Sequence, residues 1–171
     1  MLDRAVARAA TLVTHTTPPR VFRELGRHPR LFRAWLPFAG ALLLHGELPR
    51  IDTELVILRT ACNCGSRYEW AQHVALARRA GLDAAQIDVV PEGASATAWS
   101  ARQRELLRAV DELHADRTLS PATRERLEQL LTERQLIELC LLVGHYEMLA
   151  MLLNTRGVEP DAPSHGCPFS R

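Results

Sequence analysis

Apolar residues recur three and four positions apart along most of the chain, and no stretch alternates strictly enough to predict a strand. The first helix is expected from Met1 to about Thr14, with Leu2, Val6, Ala9, Ala10 and Val13 on one side. Pro18-Pro19 closes it, because proline disfavours helix in the residue before it and lacks a backbone donor. Two further helices follow around Val21–Leu25 and Pro29–Leu44, with Phe22, Leu25, Leu31, Phe32, Trp35 and Leu36 as their apolar positions. After Gly46 and Pro49, Ile51-Asp52-Thr53-Glu54 reads as a hydrophobic staple, a cap and an acidic first turn of a helix running to about Cys62. Gly65 interrupts the chain, and a second helix is predicted from Ser66 to Ala80, ended by Gly81. Asp83 with Gln86 makes a cap and its return partner. Beyond a loop at Pro91-Glu92-Gly93, a helix is expected over about Ala98–Ala115, and Ser120-Pro121 sets a cap before a proline at the first helical position. Thr132-Glu133-Arg134-Gln135 is a capping box for a last long helix ending near Asn154, and the proline-bearing tail after Gly157 is expected to be irregular.

These elements describe an all-α fold. At 171 residues the chain is read as one domain, 1–171, with its core motif at about 46–90 and with N-terminal helices 1–45 and a long C-terminal helix 132–154 packed on that core. The apolar run Leu136–Leu153 is short for a membrane span and contains Glu138, His145 and Glu147, whose kind is costly at a bilayer centre. It is read instead as a buried or subunit-interface helix, covered on several sides, in a homo-oligomeric protein with no membrane partner.

Composition narrows the chemistry. Hydrophobic residues make up 47% and charged residues 24%, an ordinary globular balance, and a net charge of +1 gives no basic footprint for nucleic acid. All 21 basic residues are arginine, which excludes lysine Schiff bases, lysine general bases and a Walker phosphate loop. Cys62, Cys64, Cys140 and Cys167 are too few and too scattered for a disulfide framework, and Met1-Leu2-Asp3-Arg4 opens no apolar signal core, so a cytoplasmic protein is expected.

The informative stretch is Glu54 to His73. On the Ser66–Ala80 helix, Glu69 and His73 are four apart and share a face, with Ser66 and Trp70 bordering the stripe. A carboxylate beside an imidazole orients the ring and selects its tautomer, which suits proton transfer near neutral pH. The plain alternative is a solvated helix salt bridge, the commoner outcome of this spacing. Cys62 and Cys64, spaced Cys-x-Cys, are either a displaced redox pair or buried structural thiols. A metal site drawn from Cys62, Cys64, His73, His165 and Cys167 lacks the usual ligand spacing, so no metal is expected. Arg59 or Arg67 is either a fork for a substrate carboxylate or an ion-pair partner. Tyr68 is read either as a donor to a substrate oxygen beside His73 or as an interhelical hydrogen-bonding residue, and Tyr146 as the latter. His145 is read as a core histidine, and His15, His28, His45 and His114 as surface or capping residues.

The Glu-Leu-Val-Ile-Leu and Tyr-Glu-Trp-Ala-Gln-His blocks, within about Gly46 to Val90, resemble the carboxymuconolactone decarboxylase-like superfamily, which includes the alkyl hydroperoxidase D branch. Gly144-His145-Tyr146, Asn154 and Gly157 resemble later parts of related bacterial proteins. The resemblance implies a helical, homo-oligomeric fold, as trimers or hexamers. The hydroperoxidase branch has a Glu, a Cys-x-x-Cys pair and a His; the Glu and His fall on Glu54 and His73, but the cysteine positions fall on Ser66 and Glu69. A hydroxyl and a carboxyl cannot cycle through sulfenic acid and disulfide, so that branch's peroxidase chemistry is not expected. The decarboxylase branch implies a Glu four before its His, matched by Glu69 and His73, and catalysis without metal or organic cofactor.

The resulting expectation is a cofactor-free acid/base enzyme, of decarboxylase-like lyase type, acting on a small organic acid, lactone or carbonyl compound. His73 carries the proton, Glu69 orients it, Glu54 either completes the relay or holds the pair in place, and Tyr68, Ser66, Trp70 and Cys64 shape the pocket. Two rival readings are a thiol peroxidase using Cys62 or Cys64, and a non-catalytic oligomeric binding module in which the polar residues form a buried structural network.

Overall fold

The computed structural model describes residues 19–161 and Phe169, so the helix expected over Met1–Thr14, together with His165 and Cys167, lies outside the described residues. Among those residues every regular element is helical. They fall into two units, up to His45 and from Gly46 onward. In the first, α1 (Arg20–Leu25) and α2 (Pro29–Leu44) are tied by Phe22, which meets Phe32 and Trp35 at ring-centroid distances of 5.9 and 6.0 Å. His28 caps α2 by accepting from the Leu31 amide, and Pro29 sits where the missing N–H costs nothing.

The second unit holds α3 (Arg50–Asn63), α4 (Arg67–Ala80), α5 (Ala84–Asp88), a 3₁₀ segment (Val90–Ser95), α6 (Ala101–Asp116), α7 (Pro121–Glu128) and α8 (Glu133–Thr155). Helix α3 is central: it packs against α4, α6 and α8, and Asp52 through Leu58 are buried without a break. It opens at Arg50 behind Pro49, not after Asp52 as its sequence suggested. Asp52 therefore lies inside the first turn, where its carboxylate accepts from Arg102 Nε at 2.6 Å instead of capping the helix. Gly65, at φ 60°, turns the chain from α3 into α4, and Gly81, at φ 112°, ends α4 in the left-handed region expected of a terminating glycine. Capping boxes form at Asp83–Gln86, Ser100–Gln103 and Thr132–Gln135. The box at Ser100 starts α6 later than periodicity alone indicated.

Leu55, Leu58, Trp70, Val74, Leu82, Ile87 and Leu107 form one apolar cluster. Arg59 fastens its rim by donating to Asp111 and to the carbonyls of Val90 and Pro91 at 2.6, 3.0 and 2.8 Å. Arg59 is thus consumed by structure and is no substrate clamp. Arg67 lies 4.0 Å from Glu159.

Helix α8 is apolar and long enough to cross a membrane by length and composition, yet 56% of its most apolar window is buried in the protein. Its ionisable residues have local explanations. Buried Glu138 accepts the backbone N–H groups of Glu47 and Leu48, fixing the segment that leads into α3. Glu147 accepts from His114 and Arg117. Burial, and then the neighbouring His73, push His145 down to about 4, leaving it uncharged at neutral pH.

Candidate active site

The α3–α4 hairpin presents Glu54 and His73 to each other. Glu54 lies one helical turn beyond Arg50, which pairs with it, and its side chain is fully buried. Its Oε2 is 2.8 Å from His73 Nδ1. A carboxylate only accepts, so Nδ1 carries the proton and Nε2 is left as the acceptor. The Tyr146 hydroxyl, from α8, donates to Nε2 at 3.0 Å, with the two rings edge to face. Three helices thus fix one imidazole at both nitrogens. Burial holds the Tyr146 hydroxyl well above its ordinary range, with Glu54 and Glu69 adding to the effect, so it remains a phenol and a donor.

Glu69 occupies a different position from the one the helical spacing suggested. It is on the same helix as His73, but both ring nitrogens are taken by Glu54 and Tyr146, and Glu69 makes no hydrogen bond to the ring. Glu54, not Glu69, orients the imidazole. Glu69 is 3% exposed, and neither its carboxyl oxygens nor the buried Ser66 hydroxyl makes a hydrogen bond of normal geometry among the described residues. Burial pushes Glu69 up to about 8, against a smaller opposing pull from the nearby Ser66 hydroxyl. At neutral pH it is a protonated, water-excluded acid.

The remaining sequence candidates are arranged otherwise. The Tyr68 hydroxyl donates to Asp161 at 2.6 Å, an acceptor it shares with Gln72, so the tyrosine at His73 is Tyr146. Trp70 is wholly buried in the apolar cluster, edge-on to Phe169. Cys64 lies 3.9 Å from His114 Nδ1. Burial pushes its thiol up to about 12, with Glu147 and Glu69 adding to the shift, which is the reverse of what a redox nucleophile needs. Cys62 packs against the apolar cluster. His114, read from sequence as a surface or capping residue, is instead partnered by Glu147 at 2.6 Å. A cavity of about 650 Å³ is lined by Leu113, Arg117, Leu136, Cys140, Gly144 and Glu147 among others, and by none of Glu54, Ser66, Glu69, His73 or Tyr146.

The interhelical hydrogen bond read for Tyr146 is thus present; the sequence did not name its partner, which is 73 residues away.

Residues 29–112 match the family model of the carboxymuconolactone decarboxylase family, a span that contains Glu54, Glu69 and His73. Among solved structures, the chain is similar to the alkylhydroperoxidase AhpD core of an uncharacterized peroxidase-related protein from Ralstonia eutropha JMP134, at 22% identity and a TM-score of 0.82, covering 94% of this chain and 87% of that one. It is equally similar in fold to an uncharacterized peroxidase-related protein from Silicibacter sp. TM1040, at 18% identity and a TM-score of 0.82, covering 96% and 89%. The debrominase Bmp8, solved in complex with 2,3,4-tribromopyrrole, matches at 14% identity and a TM-score of 0.72, over 89% of this chain and 80% of that one. No curated protein matches the chain. The stretch 29–112, which holds the α3–α4 hairpin, thus matches the carboxymuconolactone decarboxylase family without carrying a Cys-x-x-Cys pair, and its helical fold is one that AhpD-like structures share.

Proposed function

We propose that this protein is a cofactor-free acid/base enzyme that moves a proton on a small organic acid, lactone or related carbonyl compound. The observation that carries the reading is the buried Glu54–His73–Tyr146 chain, in which each link has one direction of donation. Glu54 holds the Nδ1 proton and stabilises the ring when Nε2 takes up another. Tyr146 stands on Nε2, so a proton reaches or leaves His73 through the phenol or after its displacement. The neutral Glu69 carboxyl and the Ser66 hydroxyl, both without hydrogen-bond partners among the described residues, supply donors for a developing enolate oxygen. Unpaired buried polar groups are costly, and a substrate oxygen would satisfy them. A thiol peroxidase reading has less support, since the positions of the redox pair hold Ser66 and Glu69 and Cys64 is a suppressed thiol.

The test is hydrogen exchange in D₂O. A panel of small keto acids and lactones is incubated with the protein, and deuterium entry beside the carbonyl is followed by NMR. At least one compound should exchange with the native chain and not with His73→Gln. Exchange that proceeds equally with His73→Gln, or is absent throughout the panel, would sink the reading.

We also propose homo-oligomeric assembly, in support of which α8 leaves Ile137, Leu141, Met148 and Met151 exposed at spacings that line one helix face. Sedimentation of a stable monomer at micromolar concentration would exclude it.

A further inference from the structure

Away from His73, the side chains of Cys64, His114 and Glu147 bring a sulfur, a nitrogen and an oxygen within 4.8 Å of one another. Cys64 caps the C-terminal end of α3, His114 lies in the last turn of α6, and Glu147 is in the middle of α8. The scaffold holds each in place. Asn154 Nδ2 donates to the Cys64 carbonyl at 2.8 Å, and Arg117 binds Glu147 Oε2, leaving Oε1 turned toward His114.

The direction of approach separates two readings of this cluster. A thiol–imidazole–carboxylate relay needs the sulfur and the carboxylate at opposite ring nitrogens. Here Cys64 Sγ, at 3.9 Å, and Glu147 Oε1, at 2.6 Å, both approach Nδ1 of His114. The ring cannot pass a proton from one to the other through the same nitrogen. Three unlike donors gathered about one point are the arrangement of ligands around a cation. Metal bonds of roughly 2.0–2.3 Å in tetrahedral geometry space neighbouring donor atoms about 3.3–3.8 Å apart. The observed separations straddle that range, so a cation enters by small side-chain adjustments. Glu147 also lines the 650 Å³ cavity beside Arg117, Cys140 and Gly144, which leaves room on one side of the cluster.

We propose that Cys64, His114 and Glu147 form a three-ligand site for a borderline-soft divalent cation of the Zn²⁺ type, with the fourth position open to the cavity at Glu147. The mixed sulfur, nitrogen and oxygen set fits Zn²⁺ and disfavours Mg²⁺ and Ca²⁺, which take oxygen ligands. Arg117 on Oε2 fixes Glu147 to bind through one oxygen, the role of an outer-shell partner. As the cation binds, Cys64 gives up its proton and the neutral His114 ring carries its own on Nε2, which frees Nδ1 to ligate. The site revises the expectation that the chain holds no metal, and it does not depend on the proposed reaction at His73.

The full chain, reduced and stripped with a chelator, is titrated with Co²⁺ and then with Zn²⁺. One Co²⁺ per chain is expected, with a thiolate-to-cobalt charge-transfer band that Zn²⁺ displaces. Cys64→Ser should remove the band, His114→Gln and Glu147→Gln should each weaken binding about tenfold or more, and Cys140→Ser should change nothing. No band in the native chain, or a band that survives Cys64→Ser, overturns the site. Alkylation continued until Cys64 of the metal-free native chain is measurably modified gives a check independent of any variant's folding: Zn²⁺ should slow the modification of Cys64 and leave the rate at Cys140 unchanged. Equal rates at Cys64 with and without Zn²⁺ also overturn the site.

Discussion

The Tyr146 hydroxyl lies 3.0 Å from His73 Nε2 and joins a residue of α8 to one of α4 across a buried interface. With Glu54 on the other nitrogen, this bond holds the imidazole at both of its ring nitrogens. It also leaves the phenol as the group nearest to any proton leaving Nε2.

Replacing Tyr146 with Phe removes one oxygen and keeps the ring. Proton transfer measured by D₂O exchange should fall by about 10²–10⁴-fold if the phenol carries it. The stability lost should be near 0.5–1.5 kcal/mol, the net worth of one hydrogen bond. An unchanged exchange rate alongside that stability loss would make Tyr146 a structural donor only.

Glu54 serves both Arg50 and His73, so its removal leaves two groups to find new partners. Glu54→Ala should destabilise the fold by about 3–5 kcal/mol, as expected for breaking a buried charged pair. Glu54→Gln keeps the volume and should cost less, but it should still suppress exchange at His73. Urea midpoints for the two variants test the order, and equal stability of Glu54→Ala and the native chain would contradict the pairing.

Glu69 ties stability to pH in a predictable direction. Its carboxyl ionises near 8 in the folded chain against 4.5 as a free side chain. Below the lower value both states hold the proton. As pH rises between the two values the unfolded chain releases it first, so folding loses stability, and the loss levels off above the higher one. The accumulated loss is on the order of a few kcal/mol. Glu69→Gln has no such loss and should gain stability relative to the native chain between about pH 5 and about pH 8.5. Parallel stability profiles for the two chains would mean that Glu69 ionises normally.

The Cys64 thiol, pushed from 9.0 to about 12, should contain about a thousandfold less thiolate at neutral pH than an unperturbed cysteine. In the metal-free native chain, iodoacetamide should therefore modify Cys64 far more slowly than after unfolding, and peroxide should not be consumed. Rapid peroxide turnover that disappears in Cys64→Ser would restore the thiol peroxidase reading.

Gly93 sits at φ 65° and ψ −148°, a region essentially reserved for glycine, and a Cβ there would meet Arg59 Nη2 at 2.8 Å. Gly93→Ala should cost at least about 1–3 kcal/mol through backbone strain alone and should loosen the Arg59–Asp111 contact. Thermal denaturation checks it, and an unshifted midpoint would show that the 3₁₀ segment relaxes freely.

The helices were written locally. Cap residues such as Asp83 and Thr132, the terminating Gly81 and the three-to-four spacing of apolar positions act over a few residues, so sequence alone determined the all-α class and most helix ends. Ser100 and Pro49 moved two of the starts, because a capping box and a proline boundary outweigh periodicity at a helix end. The association of Glu54 with His73 was implied by the family resemblance. Which acid bonds the ring was not. Spacing of four makes Glu69 a neighbour of His73, but proximity on one helix does not fix which neighbour wins. That choice fell to packing: α3 delivered a carboxylate already neutralised by Arg50, α8 delivered a phenol, and Glu69 was left buried and protonated. The meeting of Cys64, His114 and Glu147 was decided in the same way, because hydrogen bonds and metal ligands depend on distances across helix interfaces that no local pattern encodes.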